Sequence, residues 1–201
     1  MVIFKKFFFL ILLLQFYTVL FPLPALAFKT NHVAIVPLIN TANCKDKEVL
    51  QLIHTKVSDK FKFPFYEIIP TEAANTALQE NMTREKVTDK TLMKELSKKL
   101  SADIIIVVEL VQAQSATITP SVWSLNDDTY VDTNVLLKCY TYSASEDKYL
   151  SLKASDSGIE PMRIDRTLYN SVEKTMDQII AKLPYKRVPN DAITETATNN
   201  L

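Results

Sequence analysis

Apolar residues recur along this chain with two different periods, and the switches between them lay out a fold. Val33-Ala34-Ile35-Val36-Pro37-Leu38 is a nearly continuous apolar run, the pattern of a strand covered on both faces in a parallel sheet. After a polar turn around Asn40 to Asn43, residues 45–61 place Leu50, Ile53, Val57 and Phe61 three and four apart, which predicts one apolar stripe along a helix. Phe63-Pro64 ends that helix, and Phe65-Tyr66-Glu67-Ile68-Ile69 reads as a second strand closed by Pro70, which has no N–H to give a ladder. Thr71 is the expected N-cap of a helix running to about Glu80, and Thr88 that of a helix from Asp89 to Leu100 with Leu92, Met93, Leu96 and Leu100 on one side. Ile104-Ile105-Ile106-Val107-Val108 is then the most hydrophobic stretch beyond the amino-terminal segment, and it belongs at the centre of the sheet.

Two strand-helix-strand passages in succession imply parallel pairing with helices on the sheet faces. The period then falls to two. Val131, Thr133, Val135, Leu137 and Cys139 share one face of a half-exposed strand, with Asp132, Asn134, Lys138, Tyr140 and Tyr142 on the other. A polar turn at 143–147 leads to Tyr149–Ala154, where Leu150, Leu152 and Ala154 alternate with Tyr149, Ser151 and Lys153, completing an antiparallel hairpin. A last helix, about Met162 to Leu183, brings Ile164, Leu168, Val172, Met176, Ile179 and Leu183 to one face. The expected fold is α/β: a mixed sheet in two or three layers, three parallel strands followed by the hairpin, in the order 2-1-3-4-5, with helices packed on it. Residues 28–185 form one domain in this reading. The tail, 186–201, lacks periodicity and is expected to be disordered. The connection from about Ala113 to Thr129 is read as irregular, and connections of that length often carry function.

The amino-terminal 27 residues set the compartment. Lys5 and Lys6 precede an apolar run from Phe7 to Phe21, and Pro22-Leu23-Pro24 leads into Ala25-Leu26-Ala27, the small-x-small pattern of a signal peptidase site. The expectation is cleavage after Ala27 and export to the periplasm or the exterior. The competing outcome is a retained anchor, because the run approaches the roughly 20 residues that span a bilayer; only then is the membrane a partner. Residue 28 is Phe rather than Cys, so no lipid-modified cysteine follows this site.

Composition removes whole classes of chemistry. Basic and acidic side chains balance at 23 each, are spread along the chain, and form no clustered footprint for nucleic acid. The single glycine, Gly158, rules out Walker loops and dinucleotide fingerprints, which need glycines at fixed offsets for tight turns and close approach to phosphate. No cofactor is therefore expected. His32 and His54 stand apart without a partner at metal-ligand spacing, and no nucleophile motif accompanies them, so no catalytic or metal residue is assigned. Asn126-Asp127-Asp128 with Asp132 is acidic like a calcium loop, but the glycine is missing and Leu137 stands where the closing glutamate belongs. Asn81-Met82-Thr83 is a glycosylation sequon that matters only in a host that glycosylates exported proteins. Cys44 and Cys139 either pair, as an oxidising compartment permits, or stand as two thiols with Cys139 buried. Trp123, the only tryptophan, lies in the long connection with Tyr130 close behind. Both are candidate partner contacts, against the alternative that Trp123 folds back over the sheet edge.

Three segments carry a resemblance: the opening His32-Val-Ala-Ile-Val-Pro-Leu38 with Asn40 just after it, Phe65-Tyr-Glu-Ile-Ile-Pro70, and Leu100-Ser-Ala-Asp-Ile-Ile-Ile-Val-Val-Glu109. From His32 to Leu110 the chain resembles the small α/β domain of bacterial envelope proteins of the TolB amino-terminal and CsgG kind. No sequence remains for the propeller of the first, and neither the lipid-attached cysteine nor the membrane-inserting strands of the second are found. The resemblance implies a non-enzymatic domain in envelope assembly or transport with a protein partner, and it transfers no functional residue. The rival expectation is a ligand-binding module or hydrolase using the crevice at the carboxyl ends of strands 1 and 3, near Asn40, Thr41 and Gln112.

Overall fold

The structure, a computed structural model, describes residues 30–79, 87–118, 129–161 and 167–186. The amino-terminal segment, the tail beyond Lys186, Trp123, the sequon at Asn81, the acidic run 126–128 and the expected start of the last helix at Met162 to Ile164 all lie outside them. The elements are β1 (Asn31–Ile35), β2 (Ile39–Asn40), α1 (Lys47–Lys60), β3 (Tyr66–Ile68), α2 (Thr71–Gln79), α3 (Lys90–Leu100), β4 (Ile104–Ile118), β5 (Tyr130–Ser143), β6 (Lys148–Pro161) and α4 (Leu168–Lys182).

One six-stranded sheet runs in the order β3-β1-β4-β5-β6, with β2 beside β4. This is the expected order. β1 pairs in parallel with β3 and with β4, while β4-β5 and β5-β6 are antiparallel. Three layers result. Even-numbered β4 residues from Ile104 to Leu110, with Val33, Ile35, Leu137 and Cys139, pack under α1 and α4 through Val49, Ile53, Val57, Val172, Met176 and Ile179. Ala34, Val36, Ile105 and Val107 face the other way, onto α2 and α3 through Ala77, Leu78, Met93 and Leu96. The run 104–108 is therefore buried on both faces. Each such aliphatic side chain removed from water contributes about 1.5–3 kcal/mol, so β4 is the spine of the domain.

The first strand is shorter than its apolar run. Pro37 lacks an N–H, so the ladder breaks after Val36, whose amide still donates to Ile106 (2.8 Å), and resumes only as β2 against Glu109 and Leu110. Capping also departs from expectation. Asp89, not Thr88, caps α3, its carboxylate accepting from the Thr91 amide at 3.2 Å. Thr71 is already the first residue of α2, and the Pro70 carbonyl accepts the first bond, from Ala73 at 3.0 Å. Asp46 caps α1 through the Glu48 and Val49 amides. With one glycine in the chain, the left-handed positions among the described residues fall to Asn43 (φ 53), Ser101 (φ 51) and Asp147 (φ 47), short polar residues.

The larger difference lies in the stretch read as irregular. Residues 113–118 continue β4, and β6 extends past Ala154 to Pro161. Gln112, Gln114, Ser115 and Thr117 are strand residues because β5 supplies a full antiparallel ladder, which a reading weighted toward apolar runs passes over. One bulge interrupts that ladder. Leu110 pairs with Leu137 and Gln112 with Leu136, leaving Val111 as the extra residue. Beyond Leu110 neither β1 nor β2 accompanies β4. The distal halves of β4, β5 and β6 thus form a three-stranded arm.

Candidate interaction surface

The arm places its side chains by the two-residue period of the pleat. Odd-numbered β5 residues point toward α4: Val131, Thr133 and Val135 are all buried. Even-numbered ones point to the opposite face, where α2 and α3 pack near the other end of the strands, against Tyr140 and Tyr142. On that open face Ile118, Tyr130 and Pro161 lie directly across from one another, one from each strand, and Ile159 follows beside Pro161 opposite Asp132. Ile118 is 40% exposed and Ile159 61%. Around them the face is mainly polar, with Gln112, Gln114, Asn134, Asp132, Ser155 and Ser157, and carries Ala116 and the half-buried Leu136 as its other apolar residues. An apolar row left this exposed at the end of a mainly polar sheet face contributes little burial to folding and marks a contact surface.

Tyr130 therefore stands in this row, half-buried, whereas Trp123 lies outside the described residues, in the segment joining Ile118 to Tyr130. Ile118, Ile159 and Pro161 were not singled out from sequence. The available signal was an isolated large aliphatic in each of two otherwise polar strand ends.

The second feature is an edge. Among the described residues β6 has a strand neighbour on one side only, along its whole length. The opposite edge, β3, spans just Tyr66–Ile68. A long edge leaves a row of backbone donors and acceptors facing out, able to accept another strand. Its inner face is anchored: Asp156, largely buried, accepts from Lys174 of α4 at 2.7 Å.

The crevice residues are occupied with one another. Asn40 holds its own turn, donating to the Cys44 carbonyl (2.8 Å) and accepting from the Cys44 amide (3.0 Å). Thr41 donates to Glu109 (3.0 Å), which also accepts from Tyr140 (2.9 Å), with Lys138 at 3.9 Å. Burial, reinforced by that carboxylate, pushes the Tyr140 hydroxyl well above the ordinary tyrosine range. Gln112 reaches along its strand to Gln114 (3.2 Å). A separate pocket of about 140 Å³ lies by the hairpin turn, between Thr141, Leu150 and Tyr185.

Neither histidine joins a ligand set. His54 is exposed on α1. His32 turns its two ring nitrogens to different carboxylates, Asp103 at 3.5 Å and Glu67 at 3.6 Å, a bridge between them rather than a chelate. Among the described residues no three His, Cys, Asp or Glu side chains converge as a metal site. Cys44 and Cys139 are separate free thiols. Burial pushes the Cys139 thiol up to about 12. No helix among the described residues is long and apolar enough to cross a membrane.

No family model matches the sequence, and no curated protein matches it. Solved structures do show likeness. A Helicobacter pylori protein described as a homologue of neuraminyllactose-binding hemagglutinin is 11% identical, with 87% of this chain and 92% of that one covered and a TM-score of 0.47. Lipoprotein GNA1162 of Neisseria meningitidis is 13% identical over 85% of this chain and 99% of that one, TM-score 0.43. The PelC dodecamer of Paraburkholderia phytofirmans is 13% identical over 81% and 94%, TM-score 0.42. None of these is a TolB amino-terminal domain or a CsgG protein.

Proposed function

We propose that this chain is an exported protein-interaction module of the cell envelope, working by presenting surface rather than by turnover. The observation that carries the reading is the apolar row Ile118, Tyr130, Pro161 and Ile159 on the open face of the arm, where Ile118 and Ile159 remain 40% and 61% exposed on a mainly polar face. Such rows desolvate on contact with a partner and supply the anchor positions of an interface. Export follows from the positive, apolar and small-x-small order of residues 1–27. The crevice at the carboxyl ends of β1 and β4 supports the rival less well, since Asn40, Thr41 and Glu109 are committed to internal hydrogen bonds.

A photo-crosslinking residue in place of Ile118, in the full chain in intact cells, tests this. Capture of one defined envelope protein, lost when Tyr130→Ala is added, is the expected result. Absence of any captured protein at Ile118 and at Trp123 rejects it.

A further inference from the structure

The occupant of the β6 edge is legible in the order of its charges. β6 reads Lys148-Tyr-Leu-Ser-Leu-Lys-Ala-Ser-Asp-Ser-Gly-Ile-Glu-Pro161, basic at its start and acidic at its end. A strand of this polarity is complementary to its own reverse. We propose that two copies of this chain dimerise by pairing their β6 strands antiparallel about a two-fold axis through Ala154, joining two sheets into one.

The register follows from elementary constraints. A two-fold perpendicular to the sheet keeps helix-side residues opposite helix-side residues, so the axis passes through a residue rather than between two. An axis at Lys153 or at Asp156 sets like charges face to face at the centre. An axis at Ser155 leaves Lys148 without an opposing residue in the strand. An axis at Leu152 matches Lys148 to Asp156, but that carboxylate is already held by Lys174 at 2.7 Å, and the ladder stops there. The axis at Ala154 brings the whole stretch 148–160 into register. Lys148 then meets Glu160 of the second copy at both ends, Tyr149 meets the exposed Ile159, and Ser151 meets Ser157. The pairing thus covers a side chain that is 61% exposed in the single chain and satisfies the outward backbone groups of a long edge.

Lys148, Ser151, Ser157 and Glu160 are all exposed, so they can be changed without touching the core. Ser151→Cys and Ser157→Cys combined, in the full chain, should form an intermolecular disulfide under mild oxidation in cells, whereas either alone should not. Within one chain the two positions lie about 20 Å apart along the strand, so the bond can form only between copies. Lys148→Glu or Glu160→Lys alone should weaken self-association of the purified chain roughly tenfold at low salt, and the two together should restore it, because the swapped pair is again complementary. A chain monomeric at high micromolar concentration, a double-cysteine variant that fails to crosslink, or a charge swap that fails to rescue would overturn the dimer. These readouts are separate from capture at Ile118: a foreign protein caught there without self-crosslinking at 151 and 157 rejects the dimer alone, and the converse rejects only the interaction-module reading.

Discussion

Thr133 and Thr141 offer a paired test of the packing described above. Both lie on β5, face the α4 side and are buried, at 0% and 1% exposure. Their hydroxyls differ. Thr141 Oγ1 hydrogen-bonds Tyr185, whereas Thr133 Oγ1 has no partner among the described residues, with Ser115 and Gly158 as its cross-strand neighbours. A buried hydroxyl without a partner costs about 1–3 kcal/mol on the scale of protein substitutions. Thr133→Val keeps the β-branched shape and replaces that hydroxyl with a methyl, so it should stabilise by about 1–3 kcal/mol and raise Tm by about 2–12 °C for a domain of this size. Thr141→Val, the same chemical change, should instead destabilise by about 1–3 kcal/mol by leaving the Tyr185 hydroxyl unsatisfied. Urea denaturation followed by circular dichroism, with thermal melting in parallel, measures both. Opposite signs are required. If both variants shift the same way, the contrast between a satisfied and an unsatisfied hydroxyl on this strand is wrong.

Three further outcomes follow from the same structure. Met176, fully buried where α4 meets the sheet, should cost about 2–5 kcal/mol as Met176→Ala; a loss under about 1 kcal/mol would show that α4 does not seat there. Thiol titration of the native protein should find Cys44 reactive and Cys139 silent until denaturant is added, given burial and a thiol pushed up to about 12, and denatured protein with no reactive thiol before reduction would reveal a disulfide instead. Asp147 accepts from Lys94, Tyr142 and Lys90, tying the hairpin turn to α3, and these partners hold its carboxyl well below the ordinary range. Because the folded carboxyl is the stronger acid, the stability it contributes is fully present above the ordinary carboxylate pKa and is lost progressively as pH falls from there through the depressed folded value, where the clamp itself opens. Hairpin amide shifts followed by NMR should move in that acid range in the native protein and stay flat in Asp147→Asn; equal titration in both would remove the clamp.

The body of the fold was legible wherever burial leaves a one- or two-sided apolar signature. Ile104 to Val108 announced the central strand, Val131 to Cys139 the half-covered one, and the strand order followed from chain direction and helix placement. The arm was not legible, for a physical reason: Gln112, Gln114, Ser115 and Thr117 earn their strand conformation from the β5 ladder rather than from burial, so no hydrophobic period marks them. With the distal strands unread, the convergence of Ile118, Tyr130, Ile159 and Pro161 could not be foreseen, since it exists only in the cross-strand register. Tyr130 was singled out as an aromatic beside a long connection and does lie in that row. The Asp89 cap was missed although the sequence held its signal, since of the two adjacent residues capable of capping Asp is preferred over Thr.

The extra residue at Val111 works as a phase reset along β4. Up to Leu110 even numbers face α4, and from Ala113 odd numbers do. Excising that one position would restore an unbroken pleat and leave Gln112, Ala113 and Gln114 on their present faces, whereas pairing Val111 regularly with β5 would swing Gln112 and Gln114 toward the helix layer and turn Ala113 away from it. The reset therefore insulates the two ends of the strand: the helix-clad end stays aliphatic in step with its own count, and the projecting end is free to drift in composition without dragging a mismatch into the interior.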